Sequence, residues 1–409
     1  FILINRMIKC LVNSDQTTDN LSIRFLCIIK SSFCMVNFSI MLEWKELKKI
    51  EDLPLEKKRI VFYAENLASF NHYKLLIEQL TNIQKITICY VTSAKNDKIF
   101  QMKNPNINAF YIGEGTARTK FFLTLKATIL IMDMPDLERF HIKKSKIHPV
   151  HYVYLFHSIF SSHTYLRKGA LDDFDTIFCV GQHHIDEIRE TEKIYNLKQK
   201  NLIKYGYGRL DQLLAEKEKY HFDKNKRLII IAPSYGESNL LEICGIELIK
   251  ILLEHNYQLI LRPHFRILKD SKKLIDKIEK KFSENKNFVL VRDVIKPEDF
   301  HSSICMITDW SGIGLEYSFT TKNKVFFIDV PQKIINSEFR FLSIEPIEKS
   351  IRSKIGRVIS PRELKLIPEL ILEKNESPKI ESVMKSTVFN VKKSAETGAN
   401  FLRKMIDVD

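Results

Sequence analysis

Residues 304–330 read ICMITDWSGIGLEYSFTTKNKVFFIDV. The apolar run Ile304–Asp309 gives way to Trp310-Ser311-Gly312, a helix-compatible stretch follows to Lys322, and a second apolar run spans Lys324–Val330. Strand, turn, helix, strand in about 27 residues is the pattern of a βαβ unit, whose two strands lie parallel. Both runs are almost uninterrupted in β-branched and aromatic residues, as expected for strands covered on both faces.

Working outward, the same alternation recurs in both directions. Upstream lie strand candidates Arg227–Ser234, Tyr257–His264 and Phe288–Val294, separated by helical segments Asn239–Asn256 and Ser271–Ser283. An earlier series contains Arg59–Glu65, Lys85–Val91, Ala109–Gly113, Ala127–Met134, Val150–His157 and Thr176–Gly181. Two consecutive series predict an α/β fold with two Rossmann-like halves facing each other across a cleft. The segment Asn201–His221, with Gly206, Gly208 and the charged run Glu216–Lys219, is the expected connection. After Val330 the strand signal fades, and residues 361–409 read as helices with a loop around Glu376–Pro378. Coherent patterning starts only near Met41. Residues 1–40 are therefore expected to be a fragmentary or misassigned leader, residues 41–205 the first Rossmann-like half and residues 206–360 the second.

The chain has 409 residues, 44% of them hydrophobic, with 12 Gly and 12 Pro, and a formal net charge of +14. This excludes collagen-like, low-complexity and wholly disordered chains, and the charge points to a polyanionic partner without choosing one. Seven scattered Cys form no C-x-x-C pair, which fits a reducing compartment. The apolar stretch Leu21–Leu42 is interrupted by Arg24 and Lys30 and is too broken to span a bilayer. No P-loop, no G-x-G-x-x-G after the first strand and no G-x-S-x-G elbow occur, which argues against a P-loop ATPase, a dinucleotide dehydrogenase and an α/β-hydrolase.

Because ligands of open α/β sheets bind beyond the carboxyl ends of strands, residues following each strand are the candidates for chemistry. His157-Ser158 ends an aromatic strand. A histidine there can take a proton from a hydroxyl near neutral pH, and a hydrogen-bonded histidine at a domain edge fits the same sequence equally well. Gly206-Tyr207-Gly208-Arg209-Leu210-Asp211 pairs a tight turn with a guanidinium suited to phosphate. Arg262-Pro263-His264 places a permanent cation and a titratable donor at a strand end that Pro263 terminates. Asp309-Trp310-Ser311-Gly312 opens a helix, so backbone amides and the helix dipole would face an anion, with Ser311 as N-cap and Glu316 about one turn in.

Taken in order, these elements resemble the CDP-glycerol glycerophosphotransferase family, which builds teichoic-acid-type poly(polyol phosphate) chains. The family pattern has a His-Gly motif, Gly-x-Pro-Arg-x-Asp, an Ala-Pro-Thr strand end, an Arg-x-His strand end and Asp-Tyr-Ser-Ser. Here the counterparts are His157-Ser158, Gly206–Asp211, Ala232-Pro233-Ser234, Arg262-Pro263-His264 and Asp309–Gly312, with Ser158, Gly208, Trp310 and Gly312 as departures. The resemblance implies a GT-B fold and transfer of glycerol phosphate from a CDP-linked donor to a hydroxyl of a lipid-linked or polymer acceptor. His157 and His264 would be catalytic, and Arg209, Arg262, Ser234, Asp309, Ser311, Gly312 and Glu316 would hold the donor. The cations at hand require no metal or other cofactor. Ser311-Gly312 followed by Glu316 also resembles ordinary GT-B glycosyltransferases, so a sugar-nucleotide donor is the alternative. A non-catalytic polyanion-binding module is weaker, because no nucleic-acid motif is present. Between Ala117 and Lys168, nine Lys/Arg against three Asp/Glu leave an excess of six positive charges, suited to an anionic membrane surface and equally to solvated helix faces. The expected location is the cytoplasm, at the inner face of the plasma membrane.

Overall fold

The computed structural model describes residues 40–219, 221–222, 227–292, 295–373 and 377–407. The expected leader, apart from residue 40, lies outside them, as does Glu376 of the expected C-terminal loop. Ser377, also assigned to that loop, instead opens the helix Ser377–Thr387.

Thirteen strands are described, in two all-parallel sheets. The first contains β1 (Ile60–Ala64), β2 (Ile88–Thr92), β3 (Ile107–Tyr111), β4 (Ile129–Met132), β5 (His151–Leu155), β6 (Thr176–Cys179) and β7 (Asn201–Lys204), in the order β3-β2-β1-β4-β5-β6-β7. The second contains β8 (Leu228–Ile231), β9 (Gln258–Leu261), β10 (Phe288–Leu290), β11 (Cys305–Thr308), β12 (Lys324–Ile328) and β13 (Arg357–Ile359), in the order β10-β9-β8-β11-β12-β13. Most of the strands are shorter than the apolar runs that announce them. β13 has no forerunner in the sequence reading. It is a three-residue edge strand whose Arg357 and Val358 are exposed, so it carries no apolar run. The helical segment 239–256 begins with a π-turn, Leu241–Gly245, before the α-helix Ile246–Glu254.

Strand order reverses between β1 and β4 in the first sheet and between β8 and β11 in the second. Such switch points open crevices at the carboxyl ends of the strands. Pro233 and Ser234 follow β8, and Asp309–Gly312 follow β11, so both motifs border one crevice.

The last helix, Ser394–Asp407, does not extend the second half. Its Ala399, Leu402 and Ile406 join Phe62, Tyr73, Leu76 and Phe178 in a core beneath the first sheet. The hinge of this return is the Gly206–Asp211 motif. Gly206 adopts φ +105°, and a Cβ there would collide with the Phe389 carbonyl. Gly208 opens the helix Gly208–Lys219, and within it the buried Asp211 accepts from Lys392 N (2.6 Å), Ser394 N (3.0 Å) and the Ser394 hydroxyl. Asp211→Ala would leave these donors unpaired and is expected to cost about 2–4 kcal/mol, on the scale of hydrogen bonds to a buried charge. Urea unfolding checks this, and a loss under about 0.5 kcal/mol would contradict it.

Candidate functional site

β4 and β5 pair in register with Met132 opposite Tyr154, which sets the chain following each strand side by side. His157, two residues beyond β5, places Nδ1 at 2.9 Å from the Asp133 carbonyl oxygen. A carbonyl can only accept, so Nδ1 carries the proton and the lone pair of the neutral ring sits on Nε2. Asp133 is itself anchored. Its buried carboxylate accepts from Tyr73 OH (2.7 Å) and Ser69 Oγ (3.0 Å), and burial raises its pKa. The base candidate is thus fixed in tautomer and orientation through a backbone held by the helix Ser69–Glu78.

Sequence reading missed His72 on that helix, whose ring lies 6.0 Å from that of His157 and 6.1 Å from Tyr207. Burial, then His157 and Arg209, hold its pKa well below the usual value, so it stays neutral. Arg209, in the first turn of Gly208–Lys219, therefore acts on the His72 and Tyr207 side of the cleft.

From the second half, Glu316 reaches the same place. Tyr207 OH lies 2.7 Å from Glu316 Oε1 and 3.0 Å from the His157 carbonyl oxygen, so one phenol bridges the two halves. The helix Ile313–Thr321 has its cap position at Gly312, not at Ser311, and no side chain caps it. A Cβ on Gly312 would lie 3.1 Å from Ser158 Oγ.

The chain of contacts continues from His157 to a cationic wall. The Tyr165 ring is 6.1 Å from His157, and Lys333 Nζ sits 5.2 Å from the centre of Tyr165 and 2.8 Å from that of Tyr235. The Tyr235 ring packs 4.6 Å from His264 and carries the Arg266 guanidinium at 4.7 Å. Burial and then Arg266 lower the Lys333 pKa to about 7. His264 is pushed to about 3 by burial, Lys333, Arg262 and Arg266. Its Nδ1 accepts from Arg266 N (3.2 Å), so the proton is on Nε2. His264 is therefore a neutral N–H donor in the unliganded protein, and not one of the cations. Lys333 supplies the charge instead. It escaped the sequence reading because it lies in a loop after β12 within no motif.

Ser234 and Asp309 lie underneath. Asp309 is fully buried and its carboxylate accepts from Ser234 N (2.7 Å) and Leu240 N (2.8 Å), which fixes the loop after β8 against the loop after β11. Both residues shape the crevice floor. The segment after His157 is locked to the second half by Glu348, which accepts from Ser161 N (3.0 Å) and Thr164 Oγ1 (2.6 Å). Among the described residues no group of three or more His, Cys, Asp or Glu is arranged to hold a metal ion.

The family model for CDP-glycerol:poly(glycerophosphate) glycerophosphotransferase matches residues 47–330. No curated protein sequence is significantly similar. Among solved structures, a variant of the wall teichoic acid polymerase TagF superposes with a TM-score of 0.56 at 15% identity, covering 93% of this chain and 98% of that one. S. aureus MnaA with UDP gives 0.59 at 12% identity, covering 86% and 98%. The UDP-GlcNAc 2-epimerase of Methanocaldococcus jannaschii gives 0.53 at 13% identity, covering 84% and 99%. These likenesses place the two facing sheets in the GT-B fold.

Proposed function

The chain belongs to the CDP-glycerol:poly(glycerophosphate) glycerophosphotransferase family, and from that membership we propose how its cleft moves glycerol phosphate. The acceptor hydroxyl attacks the phosphorus that bears glycerol, an acceptor O–P bond forms, and the P–O bond to CMP breaks. His157 Nε2 takes the hydroxyl proton. Lys333, Arg262, the Nε2–H of His264 and the amides at Ser311–Gly312 offset the charge on the transferred phosphoryl group and the departing CMP, with Arg209 in support. Glu316 accepts from the ribose of the donor. The observation that carries this reading is the His157 Nδ1 contact with the Asp133 carbonyl, which leaves Nε2 as the only basic ring atom. Residues 41–205 act on the acceptor side and residues 206–360 on the donor side, with the helices Ser377–Thr387 and Ser394–Asp407 bracing them.

Purified protein incubated with CDP-glycerol and a glycerol-phosphate-primed acceptor is expected to release CMP and lengthen the acceptor, read by mass spectrometry. Stabilisation by a UDP-sugar but not by CDP-glycerol in a melting assay would overturn the donor assignment.

The acceptor is proposed to arrive at an anionic membrane surface. Among the described residues no helix is long and apolar enough to cross a membrane. Met41 (72% exposed) and Trp44 (43%) are exposed on the helix at residues 40–52, and Leu47, Ile50 and Glu51 of the same helix line a cavity of about 320 Å³ together with Lys120 and Lys126. This side combines exposed apolar groups with positive charge, the pairing that favours contact with anionic lipid. Co-sedimentation with anionic vesicles is expected to exceed that with neutral vesicles severalfold and to fall with added salt. Equal binding to both would contradict the proposal.

A further inference from the structure

Ser158 and Gly312 come from opposite halves and meet at the start of the helix Ile313–Thr321, close enough that a Cβ on Gly312 would press on Ser158 Oγ at 3.1 Å. A side chain on Gly312 would require Ser158 Oγ to give way by a few tenths of an ångström. The motif pattern quoted above has glycine after the histidine and serine at the helix start, and this chain has the reverse. We infer that the two departures are one compensating exchange, in which Ser158 delivers from the acceptor side the hydroxyl that position 312 lacks, and that Ser158 is a donor-binding residue.

Three observations favour this. Ser158 Oγ accepts from Phe160 N at 3.2 Å, which fixes the oxygen, and among the described residues its proton has no protein acceptor. It directly follows His157, so a phosphate accepting from Ser158 is drawn toward the base. The approach of the two backbones is held from outside, by Tyr207 bridging the His157 carbonyl to Glu316 and by Glu348 gripping Ser161 and Thr164. A phosphate oxygen held here contacts both halves at once. Donor binding and acceptor activation are thus coupled through one hydroxyl.

The inference rests on the donor assignment above, and the test separates the two. CMP release and CDP-glycerol affinity are measured for the full chain, for Ser158→Gly, Ser158→Ala, Gly312→Ser and the double exchange Ser158→Gly/Gly312→Ser, with melting temperatures to exclude unfolding. Loss of a hydrogen bond to a charged group predicts a fall in kcat/KM of about tenfold in both Ser158 variants. Gly312→Ser is expected to fall comparably by crowding Ser158, and the double exchange to return to within about threefold of the wild type, a non-additivity that only coupled sites produce. If the wild type turns over CDP-glycerol but the single losses multiply in the double exchange, or Ser158→Ala is fully active, the inference fails and the donor assignment stands. If the wild type neither binds nor turns over CDP-glycerol, both fall together.

Discussion

His157→Ala is expected to lower CMP release by roughly 10²–10⁴-fold, the range typical of removing a positioned general base, while the affinity for CDP-glycerol changes less than about threefold. The split follows from the geometry. His157 is fixed by the Asp133 carbonyl and shares its neighbourhood with His72 and Tyr165, whereas the cations that would face the donor belong to Lys333, Arg262 and Arg266. His72 cannot substitute, because its depressed pKa makes it a poor proton acceptor. Single-turnover release and equilibrium titration together check the prediction. Unchanged release would remove His157 from the chemistry, and an equal loss of affinity would make it a binding residue. Asp133→Asn should be far milder for catalysis, since the backbone carbonyl that orients His157 survives the substitution.

The second large effect lies at Lys333. Its pKa of about 7 in the unliganded protein means that it is charged below that pH and neutral above it. A pyrophosphate diester brings no group that titrates in this range, and it favours the charged amine, so its binding raises the pKa and takes up protons above pH 7. Affinity is therefore expected to be highest below pH 7 and to weaken by up to tenfold per pH unit above it, until the pKa of the complex is reached. The groups facing Lys333 are Arg266, His264, Tyr165 and Tyr235, with Asp309 beneath. Burial raises the Tyr165 pKa further above this range, and burial raises that of Asp309 as well, so the Lys333→Met profile is the control that assigns the slope to Lys333. Lys333→Met should weaken CDP-glycerol binding about 10- to 100-fold at pH 6, as expected for losing a charge-assisted contact, and should flatten the pH profile. Calorimetry from pH 6 to pH 9 on both proteins tests this. A wild-type affinity independent of pH would refute it.

Much of this architecture was legible in the sequence, for reasons visible in individual elements. Strands buried on both faces have to be written as apolar runs, so β1, β2, β4, β6, β8 and β11 announced themselves, and the turn after β11 marked the crevice through Ser311 and Gly312. β13 was invisible because an exposed edge strand needs no such run. The site divided in the same way. His157, Arg262 and His264 could be found because they end strands. Lys333, Tyr235 and Tyr165 could not, since their meeting depends on two loops and the short helix Ser162–Tyr165 converging in space. Asp309 and Ser234 stood at the right addresses, yet burial gives them the work of tying two loops together. The charge state of His264 was also beyond the sequence, because it is set by burial and then by Lys333, Arg262 and Arg266 around it.

The return of Ser394–Asp407 to the first sheet has a bearing on how the protein is born. Leu402 and Ile406 are synthesised more than 200 residues after Phe178, with which they share a core. At about 5–20 residues per second, the ribosome holds the first half without part of its core for on the order of 10–45 s. One face of the second half draws on nothing beyond Ile371, and its other face is complete once Ile380, Met384 and Val388 have been made. The half begun first is thus completed last, and a nascent chain stalled near residue 390 would carry a second half with both faces covered attached to a first half still exposing Phe62, Tyr73 and Leu76, the kind of surface that chaperones recognise.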